Sequence, residues 1–232
     1  MCIRDRIQLN SMKEKKKVSA KEIYNDLVNE FKIKEKIGSV EIKLGNISAK
    51  YNGRDAIGDL LQEWISNWFE SRNYYYRTKD NTQEFPDFLL ERNDDSGLLE
   101  IKTFNADASP AFDIANFNSY CKSLLTNPER LDADYLILSY KMKDSELSID
   151  NVWLKKVWEI AGTSGVNPIN LQTKYKQPYN LRPVKWYSSR KTTNRPFKSK
   201  IEFIEAIAKT HKKYPKESKT VSYTHLTLPT KA

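Results

Sequence analysis

The stretch Phe85-Pro86-Asp87-Phe88-Leu89-Leu90, followed after six residues by Gly97-Leu98-Leu99-Glu100-Ile101-Lys102, decides how this chain is read. Two short apolar runs flank Arg92-Asn93-Asp94-Asp95-Ser96-Gly97, a dense cluster of turn formers, and that is the pattern of a β-hairpin. Successive strand residues alternate faces, so Glu100 and Lys102 point one way while Leu99 and Ile101 point into an apolar layer. With the turn centred on Asp94-Asp95, antiparallel pairing sets Asp87 opposite Lys102 and one diagonal step from Glu100. Three charged groups then share one patch, and a slip of one residue would separate them.

Helical patterns surround this hairpin. Upstream, Ile57, Leu60, Leu61, Trp64, Ile65, Trp68 and Phe69 recur at intervals of three and four, which predicts an amphipathic helix from about Asp55 to Glu70. Before it, Ile23, Leu27 and Phe31 predict a helix within 20–36, and the alternation of Val40 to Tyr51 predicts a strand or hairpin. Downstream, Ser109-Pro110 reads as a helix N-cap and first turn ahead of Ile114, Phe117, Cys121, Leu124 and Leu125. Tyr135-Leu136-Ile137-Leu138-Ser139-Tyr140 has the length and apolar character of a buried strand. The order of helix, strands, helix, strand predicts a mixed α/β (α+β) core, a central mixed sheet flanked by helices. Beyond residue 160, glycines and prolines punctuate a loop-rich region that closes with a helix over Lys198–Lys212.

Composition excludes several functions. The 232 residues carry 39 Lys and Arg against 30 Asp and Glu, a net charge of +9, and no apolar run approaches a membrane span. Two cysteines make no disulfide framework, which suits a reducing cytoplasm, and two histidines leave little room for histidine chemistry. The opening Met1–Arg6 and the closing Val221–Ala232 read as translated adapter sequence, with Met12 as a plausible start. The chain therefore divides into an extraneous or disordered 1–17, a catalytic core at 18–160, a basic region at 161–220 and an extraneous tail at 221–232.

The charge is segregated. Lys174 to Lys219 holds 14 Lys and Arg against 3 Glu, whereas residues 18–173 hold 18 basic against 25 acidic. A block this basic, interleaved with Tyr179, Trp186, Tyr187 and Asn194, is the footprint of phosphate contacts and base reading. Arg182, Lys185, Arg190, Lys191, Arg195 and Lys198 are the candidate DNA contacts. A solvated basic face with no specific partner is the alternative.

Pro86-Asp87 followed, after twelve intervening residues, by Glu100-Ile101-Lys102 resembles the active-site signature of the PD-(D/E)xK nuclease superfamily. The Glu-x-Lys triplet occurs five times in the chain, so its placement after the single Pro-Asp is what distinguishes Glu100. Two carboxylates are hard oxygen ligands suited to Mg²⁺, which retains most of its waters and accepts phosphate oxygens. Asp87 and Glu100 are the candidate metal ligands, and Lys102 is placed to orient water or stabilise charge on the phosphate. An ordinary surface ion pair between Glu100 and Lys102 is the bland alternative. In the resembled superfamily the first core helix often adds an acid, a role assigned to Glu63, with Asp59 second.

Asp55-Ala-Ile-Gly-Asp-Leu-Leu-Gln-Glu-Trp64, Phe85–Leu90, Leu98-Leu-Glu-Ile-Lys-Thr-Phe-Asn-Ala106 and Leu181-Arg-Pro-Val-Lys-Trp-Tyr187 are similar to the NgoBV/NlaIV family of type II restriction endonucleases. The resemblance covers roughly residues 18–216. It implies a restriction-endonuclease-like core with a basic C-terminal DNA-recognition region. It also implies Mg²⁺-dependent cleavage of both strands of double-stranded DNA at a short palindrome, GGNNCC, by a homodimer. A cognate DNA methyltransferase would be its genetic partner. Another nuclease of the superfamily, such as a junction resolvase or repair nuclease, and a non-catalytic DNA-binding protein are the competing readings.

Overall fold

Leu98–Asn105 is the strand around which the molecule is assembled. The computed structural model describes residues 14–53, 56–81, 84–188 and 194–214. Helix α1 (Ala20–Asn25) opens on Ser19, whose hydroxyl accepts from the Glu22 amide while Glu22 caps Ser19 in return. A single π-turn, Asp26–Glu30, and a 3₁₀ turn, Ile33–Glu35, carry the chain into β1 (Ile37–Ser39). Strands β2 (Glu41–Leu44) and β3 (Ile47–Lys50) form a separate two-stranded hairpin. The long helix α2 (Ile57–Ser71) follows, then β4 (Phe88–Leu89) and β5 (Leu98–Asn105).

After a loop come β6 (Ala115–Asn116) and α3 (Phe117–Thr126), then the 3₁₀ turn Pro128–Asp132. Strands β7 (Asp134–Lys143) and β8 (Glu146–Lys156) lead to the short α4 (Val157–Ile160). The chain finishes with β9 (Leu171–Lys174), β10 (Gln177–Leu181) and α5 (Lys200–Lys213). The main sheet runs β1-β8-β7-β5-β4, with β5 and β7 parallel and the other pairs antiparallel. A small sheet, β6-β10-β9, stands beside it.

Two apolar layers cover the main sheet. Ile57, Leu61, Ile65, Trp68 and Phe69 of α2 pack with Leu99, Ile101, Leu136 and Leu138 on one face. The spacing of those helix residues is the 3.6-residue period read in the sequence. On the other face Leu98, Phe104, Tyr135 and Ile137 pack beneath Phe117, Tyr120 and Leu124 of α3 and Phe203, Ile204 and Ile207 of α5. The region after residue 160 therefore shares a core with the strands before it. The boundary placed at 160 does not divide two cores.

Two expectations are corrected here. Residues 14–17 are built into the fold: the Lys16 amide donates to the Asn73 carbonyl at 2.8 Å, and Lys15 and Lys17 pair with Glu70 and Glu91. Helix α3 does not start at Ser109-Pro110. Its N-cap is Asn116, whose side chain accepts from the Ser119 amide, because Ala115 and Asn116 are held extended against Leu181 and Asn180. A local capping signal yielded to long-range strand pairing.

Candidate active site

The turn between β4 and β5 fixes the site. Asn93 Oδ1 accepts from the amides of Asp95 and Ser96 and from the Ser96 hydroxyl, the local ring expected of an Asn turn. Arg77 clamps the same turn, donating to the carbonyls of Glu91 and Asn93 and to Asp94. Gly97 closes it at φ +64°, with Leu90 and Glu91 so close that a Cβ would crowd both. The Leu90 amide donates to the Gly97 carbonyl, and Phe88 pairs with Leu99.

This register corrects the sequence expectation. Asp87 lies opposite Glu100 rather than Lys102, a displacement of two residues, which preserves the face of every side chain. The three charges still converge. Asp87 Oδ2 accepts from the Ile101 amide at 2.7 Å, Glu100 Oε2 accepts from the Asp87 amide at 3.3 Å, and Glu100 Oε1 meets Lys102 Nζ at 2.7 Å. Glu100 is 7% exposed, so this is not the surface ion pair that spacing alone also allowed.

Burial and then the neighbouring Glu100 push the Asp87 carboxyl up to about 7. Burial works against charge on Lys102, but Glu100 and Asp87 outweigh it and hold the ammonium above its usual range. Lys102 is therefore a donor and a positive charge at neutral pH, not a base. Beside Glu100 on β7 sits Tyr135, wholly buried, its phenol pushed far up by burial.

A cavity of about 490 Å³ opens over these groups, lined also by Glu84, Phe85, Asp113–Asn116, Ser119, Tyr120 and Arg130. Arg130 was not singled out in the sequence. It belongs to no motif, and only the fold brings the turn after α3 to strand β5.

Glu63 and Asp59 are exposed, and neither lines the cavity. Among the described residues no group of three or more Asp, Glu, His or Cys side chains is placed to hold a metal. Helix α2 instead brings the Gln62 side chain near Asp87, where its amide works to lower the carboxyl against the larger effects of burial and Glu100. The helix crosses β5 closely at Gly58, where a Cβ would lie 3.1 Å from Thr103 Oγ1, and Gln62 is one turn further on.

The basic residues separate into two groups. Arg182 is engaged within the fold, paired with Asp113 at 2.9 Å and donating to Gln172 and to the Ala111 carbonyl. It braces the 111–113 loop beside the cavity, so its guanidinium is already occupied. Lys185, Arg195 and Lys198 are exposed and make no ion pair among the described residues. Arg190 and Lys191 lie outside the described residues. Trp186 is packed among Phe104, Phe112 and Trp153, whereas Tyr187 stacks on Trp153 and stays 37% exposed.

The family model for the NgoBV restriction endonuclease matches residues 17–227. The chain belongs to the NgoBV restriction endonuclease family. The match runs past Thr220 into the segment set aside as extraneous. The type II restriction enzyme NlaIV of Neisseria lactamica is 38% identical over 196 residues, covering 84% of this chain and 81% of that protein. The type II restriction enzyme NgoBV of Neisseria gonorrhoeae is 34% identical over 160 residues, covering 68% and 91% respectively. A solved structure of the NlaIV restriction endonuclease superposes with a TM-score of 0.83 at 37% identity, covering 86% of this chain and 82% of that one. Both the restriction-endonuclease fold and the class, a type II site-specific deoxyribonuclease, follow.

Proposed function

We propose that this member of the family hydrolyses both strands of duplex DNA at a short palindrome, GGNNCC, as a Mg²⁺-dependent homodimer using Asp87, Glu100 and Lys102. The observation that carries this reading is the meeting of two carboxylates and a charged lysine in one cavity. The donor set fits the cation. Two acidic side chains are forced together at a buried site, which raises the Asp87 carboxyl, and a dication between them would remove that repulsion. Asp87 and Glu100 would hold the ion. When bound, it supplies Lewis acidity to a phosphodiester and acidity to a water.

The remaining steps fall to the chain's own groups. The Ile101 amide fixes the Asp87 carboxylate, and the Asp87 amide and Lys102 fix Glu100. Lys102 donates toward the attacking water or the non-bridging oxygens, where negative charge grows in the transition state. Lys185, Arg195, Lys198, Arg190 and Lys191 are the proposed backbone contacts, and Arg182 acts by bracing the cavity rim. A two-fold site calls for a two-fold dimer, and a cognate methyltransferase would protect the host genome in the bacterial cytoplasm.

Digestion of unmethylated plasmid with Mg²⁺ tests the reading. Discrete fragments ending within GGNNCC are expected, with EDTA abolishing them and Asp87→Ala binding the duplex in Ca²⁺ without cutting it. Retained cutting by Asp87→Ala would remove this pair from the chemistry. Fragments ending at another sequence would refute the proposed site alone.

A further inference from the structure

Arg130 stands in the 3₁₀ turn Pro128–Asp132, which brings it to the cavity wall. Its guanidinium carbon lies 4.1 Å from the Phe85 ring centre and 4.9 Å from that of Tyr120. The two rings hold a planar cation in a fixed orientation and strip part of its water. Among the described residues one donor is used: Nη1 reaches the Ser123 hydroxyl at 3.0 Å. The Nε proton is buried with no partner among the described residues, as is the Tyr120 hydroxyl that lines the same cavity. A guanidinium offers five donors, so most of its capacity is unspent.

The charges around it sharpen the point. Of the four acids lining the cavity, Glu100 pairs with Lys102 and Asp113 with Arg182, Glu84 lies 3.9 Å from Lys79, and Asp87 accepts from the Ile101 amide. Arg130 makes no ion pair among the described residues, although it stands near enough to Lys102 for the two like charges to oppose one another. Two aromatic faces and the Ser123 hydroxyl hold this half-buried cation in place of a carboxylate partner. It is complementary to an anion that arrives from outside, and the anion brought by DNA is a phosphodiester.

Resting on the nuclease reading above, we infer that Arg130 binds a phosphate of the cleaved strand in this cavity, donating to its non-bridging oxygens, with Phe85 and Tyr120 holding the guanidinium in place. The fork of an arginine suits two phosphate oxygens, and Lys102 contributes the second positive charge on the same wall.

Two variants test this. Arg130→Met removes the charge and donors but keeps apolar length between the rings, and Arg130→Lys keeps the charge alone. Each is measured for thermal midpoint, for duplex affinity in Ca²⁺ across salt concentrations, and for single-turnover cleavage in Mg²⁺. For Arg130→Met, the slope of log affinity against log salt should fall by about one unit. Its cleavage rate should fall about a hundredfold or more, as expected for a lost oxyanion donor. Arg130→Lys should restore the slope and only part of the rate. An unchanged slope in a folded Arg130→Met protein overturns the proposal. Should Arg130→Met fail to fold, Arg130→Lys decides: a wild-type slope with a rate reduced roughly tenfold supports the clamp, and a wild-type rate overturns it. Asp87→Ala is run beside them. If it still cuts, the nuclease site itself is misassigned; if it is dead while the Arg130 variants cut normally, only the clamp fails.

Discussion

Two hairpins in this molecule use the same local signals and come to different ends. In the hairpin of β2 and β3, Leu44 faces Ile47 across a two-residue turn whose first member, Gly45, has φ +60°. All eight strand residues are exposed, including Ile42, Leu44 and Ile47. In the hairpin of β4 and β5 a six-residue turn is held by Asn93, Gly97 and the distant Arg77, and both strands are largely buried. The first hairpin takes its register from its own turn. The second takes it from Asn93 and Gly97 within the turn together with the distant Arg77, and the meeting of Asp87, Glu100 and Lys102 depends on that register.

The largest expected effect comes from the charge the second hairpin carries. Asp87→Asn should lower cleavage by about a thousandfold or more, because several kcal/mol of charge stabilisation is lost at one decade per 1.36 kcal/mol. The same variant should be the more stable protein at high pH. The Asp87 carboxyl is raised to about 7 in the fold, so its favourable contribution is complete below the ordinary carboxylate range and is lost as pH rises through about 7. Asparagine has no such loss. Its advantage above pH 7 should be on the order of 1 kcal/mol and should vanish below pH 4, as read from denaturation midpoints across pH. A variant no more stable than wild type at pH 8 would mean that burial and Glu100 together do not raise the Asp87 carboxyl.

Next in size is the clamp. Arg77→Met releases the carbonyls of Glu91 and Asn93, and cleavage should fall roughly 10- to 100-fold as the carboxylates lose alignment. Near wild-type turnover would show that the Asn93 ring alone holds the register.

The smallest effects compare the two glycines directly. Gly97→Ala should destabilise by about 2–3 kcal/mol, since a left-handed backbone costs about 1–2 kcal/mol and the new methyl also crowds Leu90 and Glu91. Gly45→Ala has the same backbone strain with open space around it and should stay near about 1 kcal/mol. Equal losses in the two melting curves would erase the distinction between a turn that stands alone and one that is packed.

Much of the site was legible because strand alternation is local: once Leu98–Lys102 is a strand, Glu100 and Lys102 must share a face. The register was legible only modulo two. Parity is enforced by burial of Leu99 and Ile101, but the choice between Asp87 facing Lys102 and facing Glu100 was made by Asn93 and Arg77. Strands β8, β9 and β10 gave weaker signals for a related reason. Their hairpins turn at Asp144-Ser145 and Tyr175-Lys176, four positive-φ residues with no glycine among them to announce a turn. A helical wheel places Glu63 at the margin of the apolar face, whereas which residue of α2 comes near Asp87 depends on where Gly58 lets the helix touch β5.

Periodicity and composition, read from the residues alone, determined the two apolar faces, the amphipathic α2, the buried β7, the charged strand β5 and the segregation of positive charge toward the C-terminal end. Each is a property of neighbours in sequence, fixed by the geometry of helix and strand. Tertiary structure alone decided which cations are available. It engages Arg182 with Asp113, leaves Lys185, Arg195 and Lys198 exposed, and brings Arg130 between two rings beside Asp87 and Glu100. The Arg182–Asp113 pair and the contact of Arg130 with Phe85 join residues tens of positions apart, and no local period encodes that distance.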